Sequence, residues 1–113
     1  MIRIDIKRKN DEITGFHVEG HAGYADYGKD IVCSAVSVLV INCINSIETL
    51  TTASVSLKEK EADGMIDFTV AGLPDNNVKL LFQSLLLGLR EIADSYGDDY
   101  ITLNDSCKEV QKP

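Results

Sequence analysis

No apolar signal core follows Met1: the opening residues Met1-Ile2-Arg3-Ile4-Asp5 mix aliphatic and charged side chains, so no secretory segment is expected. Basic residues are not in excess either. Eleven lysines and arginines against eighteen aspartates and glutamates leave a formal charge of −7, which argues against binding a nucleic-acid backbone and agrees better with a basic peptide as partner. Acidity also serves solubility, so the charge alone identifies no partner. The three cysteines are odd in number and form no paired motif, which points to free thiols in a reducing cytoplasm. Asp30 and Asn42 bracket the longest apolar stretch, so no membrane span of ~20 residues is expected. Repeats, low-complexity tracts and linkers are also missing. The chain reads as a single α+β domain over residues 1–104 with a polar C-terminal tail over 105–113. His17 and His21 lie four apart on a strand-to-loop segment, where that spacing does not converge as it would on a helix; with no second cluster, neither a metal nor any other cofactor is expected.

What is present is regular patterning. Ile2, Ile4 and Ile6 alternate with Arg3, Asp5 and Lys7, and Asn10-Asp11 turns the chain into a second strand from about Ile13 to Glu19, with Phe16 and Val18 inward and His17 between them. A long helix is predicted from Asp30 to about Thr51. Its first half is apolar on nearly every face and so is expected to be buried on most sides, by its own sheet or by a second subunit; Asn42, Asn45, Ser46 and Glu48 mark a wetter side further on. Val55 and Leu57, the Asp63-Gly64 turn, then Ile66, Phe68 and Val70 make a second hairpin. Pro74 and Asp75 open a helix whose Val78, Leu81, Phe82, Leu85, Leu89, Ile92 and Tyr96 form one stripe, ended by Gly97. Tyr100 to Leu103 make a short last strand. The order ββαββαβ predicts an α+β two-layer sandwich, two helices against one face of a mainly antiparallel sheet. From the second strand on, it also matches a ferredoxin-like split βαβ.

Between the second strand and the long helix lies a glycine-bounded polar loop with a histidine at its start and a cysteine just past its end. Asp30 is positioned to cap the helix, with Gly28 as a joint before it. That cap would put Cys33 in the first turn, where free N–H groups and the helix dipole favour a thiolate. His21, at the mouth of the same loop, is the base that the glycines at 20, 23 and 28 could fold over the helix start. The same spacing also fits a small buried cysteine and an uninvolved histidine, and position alone leaves both readings open. Tyr24, Asp26 and Tyr27 are candidates for a mobile lid or substrate wall over the thiol. Cys43 reads as a core thiol and Cys107, in the tail, as incidental.

Gly20-His21-Ala22, then Gly28, then Asp30-Ile31-Val32-Cys33-Ser34-Ala35-Val36-Ser37 resembles the signature of the ribosomal-processing cysteine proteases, the Prp family of Firmicutes and related bacteria. The resemblance implies a cysteine endopeptidase with Cys33 as nucleophile and His21 as general base, Asp30 and Ser37 in supporting roles, and favours a homodimer. The implied substrate is the N-terminal extension of ribosomal large-subunit protein number twenty-seven, an extended, apolar and basic peptide.

Such an enzyme would proceed through a thioester, its oxyanion held by backbone N–H groups near Cys33 and Ser34 at the helix start. Asp30 would cap the helix, orient the His21 ring, or both. Two other readings stay open: a thiol-based redox or sensor protein using Cys33, and a non-catalytic ribosome-associated binding module.

Overall fold

The computed structural model describes residues 1–20, 27–97 and 99–106, with the side chains of residues 27–30 outside that description. The elements run β1 (Ile2–Lys9), β2 (Glu12–Glu19), α1 (Tyr27–Leu50), β3 (Val55–Lys60), a short 3-10 turn (Glu61–Asp63), β4 (Met65–Val70), α2 (Asn76–Tyr96) and β5 (Ile101–Asp105). The five strands form one sheet in the order β3-β4-β2-β1-β5. All neighbours are antiparallel except β1 and β5. This is the predicted α+β two-layer sandwich with its mainly antiparallel sheet. Without β1 the strand order would be that of the ferredoxin-like split βαβ; β1 is inserted between β2 and β5.

Local chemistry explains the first hairpin. Asn10 and Asp11 both take left-handed backbone angles, with φ of 53° and 68°, which suits the twist of a two-residue hairpin turn. Pairing shifts from Lys7↔Gly15 to Arg8↔Ile13, leaving Thr14 as an extra residue. The bulge reverses the alternation, so Ile13 joins Phe16 and Val18 in the core although its parity differs from theirs. Gly15 is required at the crossing with β4, because a Cβ there would run into the Phe68 carbonyl.

The core lies between the helices and one face of the sheet. Phe16 of β2, Phe68 of β4 and Phe82 of α2 meet there, with ring centroids 5.5 to 6.3 Å apart. Each is almost wholly removed from water, which for an aromatic ring is the largest single contribution an interior side chain makes. α2 begins as read from the sequence: the Asp75 side chain accepts a hydrogen bond from the Val78 N–H at 2.9 Å. It ends at Gly97, whose positive φ of 84° favours glycine.

α1 departs from expectation in three ways. It starts at Tyr27, one turn before Asp30, so Asp30 is not its cap and Tyr27 and Gly28 belong to the helix instead of the loop. It buries a single stripe, Val32, Val36, Val40, Cys43, Ile44 and Ile47, and leaves Val38 and Ile41 facing outward at 67% and 49% exposure. A two-layer fold covers only one side of a helix, so the expected burial on most sides is not achieved within one chain. Third, Ile31–Leu50 is long and apolar enough, at 20 residues, to cross a membrane by length and composition, because apolar residues resume after Asn42. In the fold its apolar stripe fills the core against the sheet.

β5 also runs further than its apolar residues indicated, through Asn104 to Asp105. A charge clamp holds it there. Arg8 donates from Nε and Nη2 to the two carboxylate oxygens of Asp105, at 2.6 and 2.8 Å, and Arg90 of α2 adds a third contact at 3.2 Å. The Asp105 side chain is only 7% exposed, so this two-pronged pairing acts with little screening and joins β1, β5 and α2. Removing the carboxylate would leave a nearly closed Arg8 guanidinium without its main partner. Asp105→Ala is expected to lower stability by about 3 kcal/mol in urea unfolding, with a smaller loss for Asp105→Asn.

Candidate active site

A cleft of about 470 Å³ opens between the first half of α1 and the end of the sheet where β2 finishes and the β3–β4 hairpin turns. Ile2, Val18 and Ile66 form its apolar floor, Cys33 and Ser37 its helix wall, and Glu59 and Glu61 its opposite rim. A volume of this size accommodates several side chains of a ligand. One hydrogen bond fixes its closed end: the Gly20 N–H donates to the Asp63 carbonyl at 3.1 Å, tying the end of β2 to the 3-10 turn. Gly20 adopts φ of 103°, and a Cβ there would meet the Met1 carbonyl. Only glycine satisfies both conditions.

Cys33 is partly buried against the core and lines this cleft, and Ser37, one helical turn on, lines it too. Because α1 begins at Tyr27, Cys33 lies in its second turn. The backbone N–H groups of Cys33 and Ser34 are therefore inside the helical ladder, and the expected oxyanion site at those two groups is not available. Ser34 lies elsewhere, on a shallow groove between α1 and α2 with Val38 and Tyr96. Gly20 is in the cleft wall, whereas His21, Gly23, Tyr24 and Asp26 lie outside the described residues, as do the side chains of Tyr27 and Asp30. Cys107 is also outside them. Cys43 is a core thiol: burial pushes it up to about 12, and its Sγ faces the Leu81 carbonyl at 3.9 Å. Nothing in the local pattern singled out Glu59 and Glu61; they reach the cleft because β4 pairs with β2 and the Gly20–Asp63 bond holds the hairpin turn at the end of that ladder.

His17 lies away from the cleft. Val18 of β2 faces the cleft, and His17, its neighbour in the strand, projects from the opposite face of the sheet. There its Nδ1 meets Asp67 Oδ2 at 2.8 Å and its Nε2 meets Glu19 Oε1 at 2.9 Å. Both partners are carboxylates, so both ring nitrogens donate only when the ring is protonated. The hydrogen bond to Glu19 and then that to Asp67 raise the His17 pKa, outweighing burial. Glu19 is lowered chiefly by its hydrogen bond to His17. Burial pushes Asp67 up, but hydrogen bonds from Lys7, at 2.7 Å, and from His17 hold it below the usual carboxylate range. His17 is a structural ion-pair residue on the far side of the sheet from Cys33.

Among the described residues Cys33 is the one thiol in the cleft wall, an arrangement on an α+β sandwich that is compatible with a protein working through cysteine. The family described as the cysteine protease Prp matches residues 1–102, and the chain belongs to that family and is a cysteine protease. The ribosomal processing cysteine protease Prp of Staphylococcus aureus is 30% identical over 106 residues, covering 92% of this chain and 98% of that one. Two crystal structures of the S. aureus protease superpose on the chain. One, in complex with a substrate peptide, has a TM-score of 0.85 at 26% identity, and the other, with a covalently linked product peptide, has 0.83 at 27%. Each covers 94% of this chain and all of the other.

The His17 network has a definite pH window. A raised histidine contributes stability that is complete below its ordinary value near 6.5 and is lost as pH rises through the folded value. Lowered carboxylates contribute above their ordinary values near 4 and lose it as pH falls through the folded ones. The network is therefore at full strength between those ordinary values. The His17 ring should titrate above pH 6.5 by NMR, and His17→Gln should reduce the fall in stability on the alkaline side.

Proposed function

We propose that the chain is the cytoplasmic endopeptidase that removes the N-terminal extension of bacterial ribosomal large-subunit protein number twenty-seven during ribosome maturation. The observation that carries the reading is that Cys33 and Gly20 line one cleft, so His21 follows directly on a residue of the cleft wall. His21 takes the proton from the Cys33 thiol, and the thiolate attacks the scissile carbonyl carbon. The C–N bond breaks, the proton passes to the leaving amine, and water then attacks the thioester with His21 again as base, releasing the carboxylate product. His17 is unsuited to this work, being held by carboxylates on the other face of the sheet. Asp30 and Ser37 support the pair, Asp30 by orienting the His21 ring, a reading that the start of α1 at Tyr27 favours over the capping one.

The cleft agrees with the substrate. Its apolar floor suits the apolar part of the extension, and Glu59 and Glu61 suit its basic residues. The S. aureus relative bears the name of a ribosomal processing protease and binds a substrate peptide. Cys33 and Cys43 are unpaired, as the reducing cytoplasm requires. The homodimer is part of the same reading: Val38 and Leu87, at 67% and 62% exposure, give the outer faces of α1 and α2 apolar surface that a second copy would cover.

Incubating the protein with the extended ribosomal protein and weighing the product by mass spectrometry tests the assignment. Cys33→Ala should abolish truncation and His21→Ala should slow it by on the order of 10³-fold. Truncation by the cysteine variant at the native rate would overturn the protease mechanism, and a His21→Ala enzyme of native rate would favour thiol chemistry without a base. In sedimentation, Val38→Asp with Leu87→Asp is expected to convert a dimer to a monomer.

A further inference from the structure

β3 is the end strand of the sheet, and among the described residues no strand lies outside it. Its main chain is nevertheless regular: the register from Val55↔Val70 to Lys60↔Met65 is continuous, with no bulge. The bulges and prolines that commonly blunt an exposed edge are absent from it. The direction of its polar groups follows from one bond. Ala71 N–H donates to the Ser54 carbonyl at 2.9 Å, which makes Ser54 and Ala71 a hydrogen-bonded pair in the same register. Antiparallel pairs alternate, so Ser56, Lys58 and Lys60 turn their N–H and C=O groups toward β4, and Val55, Leu57 and Glu59 turn theirs outward.

The same three residues carry their side chains on the helix side of the sheet, because their partners Val70, Phe68 and Ile66 face the core there. α1 does not reach over them completely: Leu57 is 38% exposed while its partner Phe68 is fully buried. Glu59 is at once an edge residue and part of the rim of the Cys33 cleft. The free edge and the cleft are thus one continuous surface.

We infer that one flank of the peptide substrate binds as an added strand on the outer edge of β3, paired to the main chain of Val55, Leu57 and Glu59, and passes from there into the cleft; this rests on the peptidase function proposed above. An added strand would lie about 4.8 Å beyond β3. Its helix-side side chains would stand beside Leu57 and Glu59, two residues apart, so the edge selects an extended segment with an apolar residue next to the first and a basic residue next to the second. Main-chain pairing supplies affinity and selects for extended conformation, and the two side chains supply register.

The test uses a synthetic peptide spanning the cleavage site of the extended ribosomal protein, with each backbone amide of the flanks N-methylated in turn. Cleavage of the unmodified peptide is read first. Its absence overturns the functional reading and this inference with it. Given cleavage, N-methylation at alternate positions of one flank is expected to raise KM about fivefold each, with kcat little changed and the intervening positions silent, as each removes one hydrogen bond. Cleavage with no two-residue periodicity overturns the inference and leaves the protease standing. On the protein side, Leu57→Pro removes an outward N–H and no bond to β4, so a folded variant should show the same rise in KM; a folded variant with native KM overturns the inference. If that variant does not fold, the amide scan on the native enzyme decides.

Discussion

The bond from the Gly20 N–H to the Asp63 carbonyl is the constraint on which the site depends. It joins the end of β2, where the chain departs toward its histidine, to the turn between β3 and β4. The two segments are more than forty residues apart in sequence, and the bond extends the pairing of β2 with β4 to the end of the strand. With the bond made, Gly20, Glu59 and Glu61 surround the same space as Cys33. The backbone angle and the Met1 carbonyl leave room there for glycine alone. A residue with no side chain therefore sets the geometry of a site whose chemistry belongs to others.

β2 divides the molecule's work by its alternation. Phe16 and Val18 face the helices, where they build the core and the floor of the cleft. His17 and Glu19 face away and join Lys7 and Asp67 in a charged network on the open side. A strand sends neighbouring side chains to opposite faces, so one residue of shift would exchange these roles. The bulge at Thr14 is the one place where this alternation is reset, and it lies at the hairpin end of the strand, remote from Gly20.

α1 serves three surfaces at once. Its buried stripe from Val32 to Ile47 holds it on the sheet, Cys33 and Ser37 form one wall of the cleft, and Val38 and Ile41 face outward. Continuous hydrophobicity along a helix is the sum of such demands and does not by itself say how many are met inside one chain. That is why the all-round apolar pattern overstated its burial. The start of α1 was misplaced for a related reason: Asp30 has the chemistry of a cap, but a helix is free to begin earlier when the residues before it tolerate helical angles, and Asp30 then sits in the first turn, where its charge still suits the dipole.

The pattern of the chain determined the element order, both hairpins, the limits of α2 and most of the core, since alternation, turn residues and caps are local properties that side chains carry with them. It also carried, in the compact motif around Cys33, the resemblance to the family to which the chain belongs. Tertiary structure alone decided that His17 belongs to an ion-pair network behind the sheet, that Asn104 and Asp105 continue β5 under the hold of Arg8 and Arg90, and that Glu59 and Glu61 stand across from the thiol. These depend on contacts between residues far apart along the chain, whose positions are set by strand order and register, and no local spacing encodes them.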